Sequence, residues 1–245
     1  MLELMFERPD RQQILADLRH KISPATGAAP TFESTRSVLA VPAPLAEILP
    51  RGGLPRGGVV SLGGASGSVS LLFALLAAPV NAWSALVGMP DAGLLAAHEL
   101  GVVLDRLVLV PDPGPDVLQV LSVLADGVDL IAVVPPRHAA FTATPARLRV
   151  LTARLRQSGA VMLVQGQWPG ADLVLESRVE SWSGLGQGHG RLRNRELIVE
   201  VRGKGAAGRR RSAVMLLKST RTRVDVGAAP ELFEQQSNPL AANVS

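Results

Sequence analysis

Residues Val59–Leu72 read VVSLGGASGSVSLL: small β-branched residues, a glycine-rich turn, then an apolar run. That order outlines a phosphate-binding loop. In such a loop glycines let successive backbone N–H groups face a phosphate, and the dipole of the following helix adds to the field. A lysine then neutralises the outer phosphate oxygens, and the next Ser/Thr holds magnesium. Here Gly63, Gly64, Ser66 and Gly67 can form the turn, but Ser68 stands at the lysine position and Val69 at the magnesium position. Gly63 to Gly67 is one residue short of G-x-x-x-x-G, and no lysine occurs between Lys21 and Lys204. The loop can present amides to an anion, yet it lacks the cation that phosphoryl transfer requires. A plain structural turn accounts for the same residues.

The second chemistry-bearing feature is charge. From Arg191 to Arg223 there are eleven Lys/Arg against Glu196 and Glu200, a local excess of +9 in a chain of net charge +4. The turn Gly205–Ala213, GAAGRRRSA, places Arg209, Arg210 and Arg211 beside Lys204, where they could reach DNA phosphates without reading bases. Arg147, Arg149, Arg154 and Arg156 of the helix expected over Thr144–Gln157 would extend that patch. The competing reading is a solvated hairpin in an arginine-biased chain, with 22 Arg to 3 Lys.

Other chemistries find no support. His20, His98, His138 and His189 are scattered, no G-x-S-x-G elbow appears, and the absence of cysteine removes thiolate ligands, thiol nucleophiles and disulfides. Trp83, Trp168 and Trp182 are expected in packing rather than base stacking, because no tyrosine and few phenylalanines accompany them. For docking a partner, the candidates are Leu232 and Phe233 in PELFEQQ, and Leu15 and Leu18 near the N-terminus.

The elements that must position these residues follow from periodicity. Asp10–Ile22 reads as an amphipathic helix, followed by a Pro/Ala/Thr-rich linker to about Thr35. Strands are expected at Gly58–Leu62, Ala85–Gly88, Leu107–Val110, Leu130–Val134 and Ala160–Val164. Helices are expected at Ser68–Ala78, Leu94–Leu100, Asp116–Leu124 and Thr144–Gln157. Continuous apolar strands alternating with helices predict a mostly parallel, twisted sheet covered on both faces. Beyond about Asp172, DLVLESRVESW, RELIVEVRGKG and RRSAVMLLK predict an antiparallel meander of three strands. This divides the chain into an N-terminal arm (1–36), an α/β core (37–223) and a flexible tail (224–245). No signal peptide or membrane span is apparent, so the expected location is cytoplasmic.

From Leu45 onward, LAEILPRGGLPRGGVVSLGGASGSVSLL resembles the RecA recombinase family, in which a GGLP-x-G turn leads into the first core strand and the P-loop. The likeness continues through ALVGMPDAGLLAAHELGVVLDRLVLVPDPGPDVLQVLSVLADGVDLIAVV, and weakly to Leu217. It implies a RecA-like core, and it permits a comparison position by position. The family's catalytic glutamate falls on Met89 or Pro90, its metal-supporting aspartate on Val134 and its P-loop lysine on Ser68. The polar sensor falls on Gln165 or Gln167, and the second DNA-binding loop is reduced to WPGA.

The resemblance therefore implies a pseudo-ATPase with no catalytic residue, cofactor or metal. It further implies an accessory protein of the ImuA-prime type, acting in DNA-damage-induced (SOS) translesion synthesis and mutagenesis. Its partners would be ImuB, an inactive Y-family polymerase homologue, and an error-prone replicative-type polymerase, joined in a mutasome. Self-association through the N-terminal helix is a further expectation. The alternatives are a SulA-type inhibitor of the division GTPase and a RecA paralogue that weakly binds nucleotide or DNA.

Overall fold

The computed structural model describes residues 38–135, 144–185, 190–203 and 210–228. The chain divides into two units, Met1–Glu33 and Ser34–Ser245, and every described residue belongs to the second. The helix expected over Asp10–Ile22, with Leu15 and Leu18, lies outside the described residues, as do Lys204, Arg209, Leu232 and Phe233.

The described chain opens with a small antiparallel pair, β1 (Val38–Leu39) and β2 (Leu54–Pro55), linked by the short helix α1 (Ala43–Ile48). Then β3 (Val59–Gly63), α2 (Ser68–Ala77), β4 (Ser84–Val87), α3 (Leu94–Glu99) and β5 (Leu107–Val110) alternate. They are followed by α4 (Val117–Leu124), β6 (Leu130–Val133), α5 (Pro145–Ser158) and β7 (Val161–Gln165). Four strands complete the chain: β8 (Leu173–Leu185), β9 (Gly190–Gly203), β10 (Arg211–Ser219) and β11 (Val224–Ala228). They assemble into a sheet of nine strands ordered β11-β10-β9-β8-β3-β7-β6-β4-β5. The pairs from β8 to β5 are parallel, and those among β8, β9, β10 and β11 antiparallel. The expected α/β class holds, with a large parallel sheet and an antiparallel end.

Burial explains why the central strands are apolar at every position. Val60, Leu62, Leu86, Leu130 and Leu163 pack into a cluster with Leu71, Leu72, Leu75 and Leu76 of α2. Their neighbours Val59, Val87, Ile131 and Met162 are equally buried and face the opposite way. On that side α4 and α5 contribute Leu121, Leu124, Leu151 and Leu155, all fully buried. Each such side chain stabilises the fold by about 1.5–3 kcal/mol. Ser61 is tolerated among them because its Oγ accepts the Trp168 N–H at 3.0 Å.

Local signals set the helix ends. The Asp116 carboxylate caps α4 by accepting the Gln119 N–H at 3.3 Å, as the sequence predicts. Thr144 caps α5 through the Arg147 N–H at 3.4 Å, with Pro145 in the first turn, where no N–H is needed. Asp129, just before β6, accepts from Arg56 and from the Trp83 N–H, each at 3.1 Å.

One expectation is corrected. Val224–Ala228, assigned above to the tail, is the ninth strand of the sheet, so the meander has four strands and not three. Val224 and Val226 alternate onto the core face and pack against the main cluster, opposite Ser219 and Leu217. Among the described residues no helix is long and apolar enough to cross a membrane.

Candidate functional site

The glycine turn sits at the carboxyl end of β3, flanked on one side by β7 and on the other by β8. Crevices at the carboxyl ends of parallel strands are where open α/β sheets take ligands. Here the turn is hydrogen-bonded to β8. The Val179 N–H donates to Ser66 Oγ at 2.9 Å, and Ser177 Oγ donates to the Ser66 carbonyl at 3.0 Å. The Ser66 N–H reaches the Ser177 carbonyl at 3.5 Å.

The glycines are required for this closeness. Gly64 has φ +112°, and a Cβ there would lie 2.0 Å from the Ser177 carbonyl oxygen. Gly67, with φ +80°, caps α2, and a Cβ on it would meet Leu197 Cδ2 at 2.3 Å. Such left-handed positions suit glycine alone. Gly63 is different: its φ is ordinary, and a Cβ would meet nothing within 4 Å.

The hydroxyls of the first turn of α2 are also engaged. Ser68, in the lysine position, accepts from Gln165 Nε2 at 2.6 Å. Ser70 accepts from the Arg195 guanidinium of β9. Val69, in the magnesium position, is 40% exposed and has no oxygen to offer. Gln165 Oε1 and Arg195 Nε are buried without a hydrogen-bond partner. Burial pushes the Arg195 guanidinium below its ordinary pKa, although arginine stays charged. Arg195 thus brings a cation to the positive end of a helix, and its ring-stacking partner is Trp182, 5.0 Å from the ring centre.

The other two catalytic positions of the resemblance lie at neighbouring strand ends. Met89 follows β4 and packs against the core, and Val134 follows β6, its N–H bonded to the Val87 carbonyl at 2.9 Å. Neither offers a carboxylate to hold magnesium or to take a proton. Among the described residues no group of three His, Asp or Glu side chains could hold a metal ion.

Several of the basic residues are engaged in ion pairs. Arg147 pairs with Asp116, and Arg154 pairs with Asp126, a hydrogen bond that raises the Arg154 pKa. Arg210 pairs with Glu200 at 3.1 Å and Arg202 with Glu176 at 2.8 Å. Arg211, at the start of β10, is exposed and in no ion pair among the described residues. Trp168 is buried as expected, whereas Trp83 is 45% and Trp182 52% exposed, each beneath an arginine. Sequence reasoning missed Ser177, Val179 and Arg195 as parts of the loop's surroundings. They lie more than a hundred residues away in the chain, and no motif marks them.

The fold and the loop define a class: an α/β protein with a doubly covered parallel sheet and a glycine turn that its own eighth strand closes. Residues 47–170, just over half of the chain, match the MT3502 N-terminal domain family, and the chain belongs to that family. It is also similar to the uncharacterized protein Rv3395c of Mycobacterium tuberculosis (strain ATCC 25618 / H37Rv), with 41% identity over 138 residues. That match covers 54% of this chain and 65% of the relative's own length.

Proposed function

We propose that this chain is a RecA-like protein without ATPase activity that works by holding partner proteins. The observation that carries the reading is the loop itself. At the position where a lysine would meet phosphate stands Ser68, its hydroxyl bonded to Gln165, and strand β8 is hydrogen-bonded into the turn. Apolar Met89 and Val134, just beyond the paired strands β4 and β6, support the same conclusion. The order of strands and helices around the loop agrees with the RecA resemblance.

Within that reading the role is the one the resemblance implies: an accessory protein of damage-induced translesion synthesis that binds ImuB and assists a mutasome. A DNA contact through Lys204, Arg209 and Arg211 belongs to the same reading.

The test is the melting temperature with and without millimolar Mg-ATP, beside an active RecA-family control. A ligand at a hundred times its Kd stabilises the folded state by about 2.7 kcal/mol. No shift is expected here; a clear one would overturn the reading in favour of a nucleotide-gated protein. Co-expression with ImuB and, separately, with the division GTPase then decides between the mutasome role and the division-inhibitor role.

A further inference from the structure

Strand β8 outlasts its neighbour. Its pairing with β3 ends at Glu176, and the glycine turn bonds to it only as far as Val179. From Ser181 to Leu185 it pairs with β9 alone, so among the described residues that stretch has an open edge. Open edges are usually short, charged or covered, because their N–H and C=O groups readily pair with another chain. This one carries Trp182 and Leu185, both exposed.

A bulge shapes the edge. Val179 lies opposite Leu197 but Ser181 opposite Glu196, so β8 holds one extra residue there. Without it Ser181 would meet Arg195; with it Trp182 does, and the Arg195 guanidinium stands over the indole. Bulges beside functional sites re-aim side chains in this way. Arg195 is held in turn by Ser70 Oγ. Tryptophan and arginine, the residues that dominate binding hot spots, are therefore fixed before any partner arrives. The charge is one-sided as well. Glu180 is paired with Arg178, and Glu196 accepts from Ser181 Oγ at 2.9 Å. Arg193, two residues from Arg195 along β9, is exposed and in no ion pair among the described residues.

We infer that Ser181–Leu185 takes an extended, acidic segment of a partner protein as an added strand. Its carboxylates meet Arg193 and Arg195, and an apolar side chain meets Trp182. The open edge chooses this occupant, because strand addition draws its affinity from main-chain hydrogen bonds that a nucleic acid cannot make. In lipid the same N–H and C=O groups would stay unpaired, at high cost. A second copy would bring arginines to arginines. The inference rests on the partner-holding part of the proposed function, and neither on the loss of ATPase activity nor on ImuB as the partner.

The experiment selects a phage-displayed library of random linear peptides on the full chain. Enriched peptides are then measured against the wild type, Trp182→Ala and Arg193→Glu by fluorescence polarisation. They should place Asp or Glu beside an apolar residue and bind each variant about tenfold more weakly. N-methylation of the peptides, read on the wild type, needs no variant to fold. Binding should fall at alternate positions only, because alternate N–H groups of an added strand face the edge. No enrichment, a selection without acidic residues, equal affinity for all three chains, or indifference to N-methylation would each overturn the inference. Oligothymidylate, phosphatidylserine vesicles or a second copy bound in a Trp182-dependent way would reassign the surface and overturn it too. Peptides selected at the edge without an ImuB complex would sink the mutasome role alone. An ImuB complex without such peptides would sink the edge alone.

Discussion

Replacing Gly64 by alanine tests the closed loop directly. The residue sits at φ +112°, and an added Cβ would lie 2.0 Å from the Ser177 oxygen, 2.5 Å from its nitrogen and 2.8 Å from its carbonyl carbon. All three are backbone atoms of β8, so no side chain can swing aside. The left-handed conformation costs a non-glycine residue about 1 kcal/mol. Relief of the clash requires the turn to leave β8, with loss of the Ser66–Val179 and Ser66–Ser177 hydrogen bonds at 2.9 and 3.0 Å. Each contributes about 1 kcal/mol net. The sum, about 3 kcal/mol, lowers Tm by roughly 6–12 °C in a chain of this size. Gly63→Ala is the internal control, since its Cβ meets nothing within 4 Å. Thermal denaturation by circular dichroism should show Gly63→Ala close to the wild type and Gly64→Ala far below it. If the two variants melt together, strand β8 does not close the turn and the reasoning fails.

Three further outcomes are expected. Asp129→Ala removes the acceptor of both Arg56 and the Trp83 N–H, and should cost about 1–2 kcal/mol in urea denaturation; an unchanged midpoint would show the bonds to be idle. Arg195→Met removes a cation from the positive end of α2 together with its unpartnered Nε, so stability should change by less than about 1 kcal/mol in either direction. Trp182 emission should shift in that variant as the stacked guanidinium leaves, and an unmoved spectrum would contradict the stacking. A chain ending at Gly170, the end of the family match, should give no cooperative melt and enter inclusion bodies. It lacks Leu173, Leu175, Leu197, Val199, Val201, Met215 and Leu217, whose burial at about 1.5–3 kcal/mol each adds up to as much as the whole net stability of a typical domain. A soluble fragment with a sharp transition would show the antiparallel end to be dispensable.

Much of the scaffold was legible because its signals are local. Runs such as Leu130–Val133 are apolar at every position, and only a strand with both faces covered needs that. Asp116 and Gln119 lie one helical turn apart, and the cap they form was readable in advance. That no lysine follows the glycines was equally plain, because Ser68 and Val69 are adjacent to Gly67. What closes the turn was not legible. Ser177 and Arg195 reach it across 111 and 125 residues, and serines and arginines are common throughout the chain. Strand β11 escaped for a related reason. Val-Asp-Val-Gly-Ala is too short to show periodicity by itself, and it is a strand because Met215–Ser219 of β10 offers an edge.

The position of β3 has a consequence for how the chain is made. This central strand acquires its neighbours late: Val59 bonds to Asp172, 113 residues downstream, and pairs with Met162. At synthesis rates of about 5–20 residues per second, roughly 6–20 s pass before the second neighbour exists. During that interval VVSLG, followed by the apolar Ser68–Ala77, has no strand to pair with on either side. Non-local pairing of this kind folds slowly and exposes sticky edges. The nascent chain is therefore most vulnerable in its middle third, where a chaperone holding the first βα unit would change yield without changing the finished protein.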